Sequence, residues 1–255
     1  MIVIPGDWNV AMPRDRDQAL AAFAAKRFSV FTLDHARLTG FSSKEREHRL
    51  ATRQWLVLYE DVYLVAGATR SWKGDLLAAC WAGGFRAVAS HRSAAALWNL
   101  AGGRRSIQGI TSPRWRRARH DGLVVHESKA FDPIDAIAIE GIPVTTPERT
   151  LLDLGAVSHE SVVDLAFDAA ERRELVTLDS VRATVTRLGR SGRNGVGTLR
   201  RLLDARSPDR KPTDSEMETM TLQVLRRRGF PEPITQYEIR SGSRFVAKVD
   251  AAYPE

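Results

Sequence analysis

Apolar and polar positions alternate with helical spacing early in the chain. In DRDQALAAFAA, residues 15–25, Leu20, Phe23 and Ala24 share one face and acidic residues occupy the first turn, which predicts a helix. FSVF, residues 28–31, is a short apolar bridge, after which Thr32 caps a short helix through Leu38 that Gly40 ends. Ser42 with Glu45 three positions on is a capping box, opening a helix over residues 43–53 with Leu50 turned inward. Two runs of β-formers, 55–59 and 62–65, flank Glu60-Asp61 and predict a hairpin. Helix, glycine-containing turn, helix and hairpin within residues 1–66 describe a winged helix-turn-helix.

The middle of the chain, residues 67–206, mixes both periods. A nearly all-apolar helix is predicted around residues 75–82, and AVASHRSAAALWNL, 87–100, predicts a second, capped by Ser90 and closed by Leu97, Trp98 and Leu100. Strands are expected at 106–110, 123–126 and 136–144. Thr146-Pro147-Glu148 starts another helix, with Leu151, Leu152 and Leu154 inward. Amphipathic helices follow at 159–174, 177–189 and 197–205. The Pro- and charge-rich stretch at 207–213 reads as a linker. A last segment, 214–255, reads as a helix to Arg228 that Gly229 stops, then strands at 234–240 and 244–253. The expected class is α+β: a winged helix-turn-helix, a mixed α/β middle domain and a small C-terminal α/β piece.

Charge sharpens this outline. The 255 residues carry a net charge of +7, with 32 Arg among 38 basic side chains. Residues 1–66 are nearly neutral at +1, residues 67–127 hold +7, residues 128–190 hold −4 and the remainder holds +3. In a winged helix the exposed early residues of the second motif helix meet base edges. Here these are Ser43, Lys44, Arg46 and Glu47, with Arg49 and Arg53 further along. Near neutrality leaves a structural or dimerising role open for this segment, because phosphate contacts supply most non-specific affinity. The surplus instead surrounds TSPRWRRARH, where Arg114, Arg116, Arg117 and Arg119 enclose Trp115, with Arg104 and Arg105 upstream. An arginine run with an interleaved aromatic suits phosphate pairing and stacking on a base, and equally an acidic protein partner. His91 opens a helix without catalytic partners nearby in sequence, which favours a structural or capping role.

The order VYLVAG, then ASHRSAAALWNL, then GIPVTTPERTLLDL resembles the AbiEi-type antitoxin family of bacterial type IV toxin–antitoxin systems, over roughly residues 15–255. It is most similar to the branch in which these domains precede a C-terminal restriction-endonuclease-like domain. The resemblance implies a transcriptional regulator that binds its own promoter DNA through the winged helix, with the next domain supporting antitoxicity and a cognate toxin as a possible partner. It places base recognition on Ser43, Lys44, Arg46 and Arg49. Ser90, His91, Arg92 and Ser93 match the family pattern with no chemistry attached to them.

The last segment resembles the opening of a Vsr-like nuclease in the PD-(D/E)XK fold, with Glu218 on the helix and Asp250 on the second strand at the catalytic positions. Such sites hold Mg²⁺ through carboxylates. The pattern needs a further strand bearing another acid, and the sequence stops at Glu255 before it. Truncation of a longer protein and a natural end are both open, and as written no cofactor is expected. A single cysteine excludes a disulfide framework or a Cys-rich zinc site. The sequence shows no signal peptide and no apolar run long enough for a bilayer, so a cytoplasmic chain without membrane contact is expected.

Overall fold

The structure, a computed structural model, describes residues 15–113, 122–128, 131–189, 194–206 and, further on, 221, 224–225, 228–231, 233–242 and 244–254. Its secondary structure is mixed α/β, and the chain divides into two compact units, Met1–Leu203 and Asp204–Glu255.

In the first unit, Asp15 caps α1 (Arg16–Ala25), accepting the Asp17 N–H at 2.9 Å. Thr32 ends strand β1 (Val30–Thr32) and caps α2 (Leu33–Leu38). Gly40, at φ 94°, supplies the left-handed turn that lets the chain reverse before Ser42 caps α3 (Ser43–Ala51). Strands β2 (Trp55–Tyr59) and β3 (Val62–Val65) pair antiparallel, and β1 adds to the other side of β3. The apolar bridge predicted at 28–31 therefore ends in a strand, a role its length alone did not signal. Leu20, Phe31, Phe41, Trp55 and Tyr63 fill the core between these helices and strands, with Trp55 meeting Phe31 edge-on at 4.8 Å.

Past its first turn, helix α4 (Trp72–Ala82) is apolar on all sides because both its flanks are covered. One side packs on Val30, Tyr59, Val62 and Leu64 of the first sheet, the other on Ile110, Ile142 and Val144 of a second. That second sheet has five strands in the order β6-β5-β4-β8-β7: β4 (Val88–Ala89), β5 (Gln108–Ser112), β6 (Leu123–Glu127), β7 (Ala136–Ile139) and β8 (Ile142–Thr145). The single strand predicted at 136–144 is a hairpin. Glu140 and Gly141 both take positive φ, as a two-residue mirror-image turn requires, and this Glu-Gly pair reverses the chain between two apolar runs. Strand β5 lies two residues beyond its predicted position, and β4 was not foreseen because two residues carry no period.

Helix α5 (His91–Leu97) packs on β5 and on α6 (Pro147–Leu154). The helices α7 (Glu160–Arg172), α8 (Leu178–Leu188) and α9 (Val196–Ala205) complete a second core around Leu151, Phe167 and Leu199. Within it Arg149 is buried at 2% exposure. Its Nε donates to Asp153 at 2.8 Å and its Nη1 to Asp135 at 3.0 Å, while Arg187 of α8 also binds Asp135. In the second unit β9 (Ile234–Ser241) and β10 (Arg244–Ala252) form a two-stranded antiparallel sheet, and the Tyr253 hydroxyl donates to the Pro231 carbonyl at 2.6 Å. The predicted linker at 207–213 lies outside the described residues. No helix among the described residues is long and apolar enough to cross a membrane.

Removing one partner from a buried ion pair leaves the other charge uncompensated, at about 3–5 kcal/mol. Asp135→Ala leaves Arg149 with Asp153 alone and withdraws the acceptor of Arg187, so urea denaturation should show a loss near the lower end of that range, about 3 kcal/mol.

Candidate nucleic-acid interface

Helix α3 has no buried residue, an unusual state for a helix held in a fold. What holds it is its start. The Ser42 hydroxyl accepts the Glu45 N–H, and the Glu45 carboxylate accepts the Ser42 N–H at 2.9 Å and its hydroxyl at 2.7 Å. These bonds hold the Glu45 carboxyl down at about 2. Leu50 rests against the first core, leaving Ser43, Lys44, Glu47 and His48 facing outward.

The arginines of this helix are less available than their spacing suggested. Arg46 is half-buried beside Tyr63, with its Nη2 3.8 Å from Glu47 and its Nε buried without a hydrogen-bond partner among the described residues. Arg49 donates to Asp17 at 2.8 Å and to Gln54. Arg53 follows the helix at φ 54° and is exposed. Among the described residues Lys44 has no ion-pair partner. Lys44 and His48 border a cleft of about 440 Å³ whose floor is Phe41, with Arg16 and Arg49 at its sides. Arg16 is paired with Glu45, so the cleft's charge is largely settled internally.

Arg104 and Arg105 are exposed between α5 and β5, and the Arg105 guanidinium lies 5.3 Å from the centre of the Trp72 ring. Arg114, Trp115, Arg116, Arg117 and Arg119 lie outside the described residues, as does Glu218. Asp250 sits exposed on β10, and no group of three His, Cys, Asp or Glu among the described residues could hold a metal ion. The described residues thus do not assemble a carboxylate set fit for Mg²⁺.

A polar cluster that sequence reasoning missed lies on the α5 face of the five-stranded sheet. The rings of His91 and His126 stack at 3.4 Å with 13° between their planes. The Nδ1 atom of His91 is 2.9 Å from the Ser90 hydroxyl. Ser90 holds the N-cap position of α5 as expected, but its side chain makes no cap hydrogen bond and its hydroxyl turns to the imidazole. Burial, and then the His91 imidazole, hold His126 down at about 4, against the opposing pull of Asp153. Thr111 is buried and its Oγ1 finds no hydrogen-bond partner among the described residues. A buried hydroxyl left unmet costs about 1–3 kcal/mol. No spacing rule joins positions 91, 111 and 126; the available signal was a histidine inside the apolar run LVVHE.

Comparison with protein-family models and with curated proteins finds no match to the chain.

A second histidine ties the N-terminal helices and strands together. His35 Nδ1 accepts the Thr32 N–H at 3.0 Å, completing the α2 capping box, and its ring packs on Phe23 and Trp81. Burial, reinforced by Arg27, lowers it from 6.5 to about 4. The unfolded chain therefore binds protons at these histidines between pH 6.5 and about 4, while the folded chain does not. The stability they contribute is complete above pH 6.5 and is lost as the pH falls toward 4. Urea midpoints measured across that window should decline on acidification. His35→Gln, which keeps an acceptor at the third helical position, should make the decline shallower.

Proposed function

We propose that the chain is a DNA-binding, antitoxin-like transcriptional regulator of the AbiEi type, in which residues 1–66 act as a winged helix-turn-helix. The observation that carries this reading is α3: a short helix, capped at both Ser42 and Glu45, with its Ser43–Lys44–Glu47–His48 face turned to solvent. It follows α2 across the Gly40 turn and precedes the β2–β3 hairpin, the order in which such modules present a recognition helix and a wing. Lys44 is the cation of α3 best placed for a phosphate or a guanine edge, because Arg46 and Arg49 are engaged within the fold. Arg53, Arg104 and Arg105 add exposed positive charge. A cognate toxin is the partner this reading suggests.

A docking role has one specific observation behind it. Leu56 and Val57 are exposed side by side on β2, which lies at an edge of its sheet. A partner strand added there would leave the α3 face untouched.

Electrophoretic mobility shifts on the DNA upstream of the chain's own gene test the first reading. Binding is expected below about micromolar concentration and to weaken steeply with salt. Lys44→Ala should weaken it by about fivefold to tenfold, the share of one charged contact. Absence of salt-sensitive binding together with capture of a partner by β2 would replace this reading with the docking one.

A further inference from the structure

Ser90, His91, Thr111 and His126 come from three separate stretches of chain and meet on one face of the five-stranded sheet. Thr111 and His126 are register partners on the parallel strands β5 and β6, so both side chains leave the same face. Gly109 lies on that face two residues earlier and makes room for the start of α5. A Cβ added there would stand 3.3 Å from the Ser90 carbonyl and 3.5 Å from the Ser93 hydroxyl. His91, at φ 51°, adopts a backbone conformation that disfavours side chains, and its ring reaches His126.

The inventory of this cluster is rich in donors. Two imidazoles and two hydroxyls converge, and one of the hydroxyls is buried without a partner among the described residues. The nearest carboxylate, Asp153, already accepts from Arg149 at 2.8 Å. A cation between the rings is excluded by chemistry, since imidazole lone pairs lie in the ring plane and not along the stacking direction. An acceptor at the ring edges is what two parallel imidazoles can serve.

We propose that Ser90, Thr111 and the His91–His126 pair form a binding site for a phosphate-class oxyanion, loaded together with a proton. Of the charged groups around the pair, Asp153 faces His126 from α6 and is matched by Arg149; Asp135, which precedes β7, is matched by Arg149 and by Arg187 of α8. Arg92 and Glu127 flank the two imidazoles in sequence. These charges balance, so the arriving anion decides the protonation of the pair. An oxyanion at the ring edges favours the imidazolium form that burial otherwise disfavours.

Calorimetric titration of the full chain with inorganic phosphate, and separately with a short oligothymidylate, tests this, alongside NMR titration of the imidazole protons. Phosphate should bind about tenfold more tightly near pH ~5.5 than near pH ~7.5, which by linkage requires it to raise the His126 midpoint from about 4 by about 2.5 pH units. Thr111→Val removes only the unmet hydroxyl, so it should fold at least as stably while weakening phosphate by about tenfold or more. His126→Asn should abolish the pH dependence. The same pattern with the oligothymidylate alone would identify the ligand as a nucleic-acid phosphodiester. Binding indifferent to Thr111→Val, or a His126 midpoint unmoved by either probe, would overturn the proposal.

Discussion

Arg149 stands at the meeting point of most of the first unit. Its guanidinium is taken out of water and divided between Asp153, one turn along α6, and Asp135, just before β7, while Arg187 brings α8 onto the same carboxylate. An ion in that position is tolerated only when its partners hold close geometry. The constraint therefore works outward: α6 is fixed against the sheet edge, and α8 is fixed against α6. Phe131 covers the guanidinium at 5.2 Å, so the strand connection leading to β7 is drawn into the same arrangement.

The same network sets the electrostatics of the polar cluster. Asp153 would pull His126 toward the charged form, yet its negative charge is shared with Arg149. Burial and the second imidazole prevail, and His126 stays neutral near neutral pH. At α3 the opposite solution is found: Arg16 and Arg49 are consumed in ion pairs with Glu45 and Asp17 that hold α3 to α1, and Arg46 is half-buried. A helix with no buried residue is thus secured by polar contacts, and the outward face is left to few residues, Lys44 foremost.

Much of the architecture was legible in local signals. Capping residues marked α2, α3 and α6 closely, since Thr32, Ser42 and Thr146 each accept a backbone N–H three residues on. What escaped local reading depended on distant partners. Strand β4 is two residues long and exists because β5 and β8 flank it. The hairpin turn at Glu140-Gly141 interrupts two short apolar runs that read together as one strand, and the pair was not taken as a turn. Site residues divide in the same way. The exposure of Ser43 and Lys44 was legible from helix spacing, whereas Arg46 looked exposed by spacing and is half-buried, and Arg49 is held by Asp17 of α1. His126 and Thr111 became visible only when parallel pairing set them side by side.

Helix α4 belongs equally to both sheets of the first unit. Val30, Tyr59, Val62 and Leu64 form the face of the small sheet that it covers, and a chain cut after residue 66 would present that face to water. The three-stranded sheet is therefore not a portable module with a tether behind it. Anyone transplanting its surface specificity onto another protein would need to carry α4 along, together with a replacement for the five-stranded sheet on which α4 leans. The same sharing restricts evolution: substitutions on either side of α4 are felt by both sheets, so the two halves must diversify in concert.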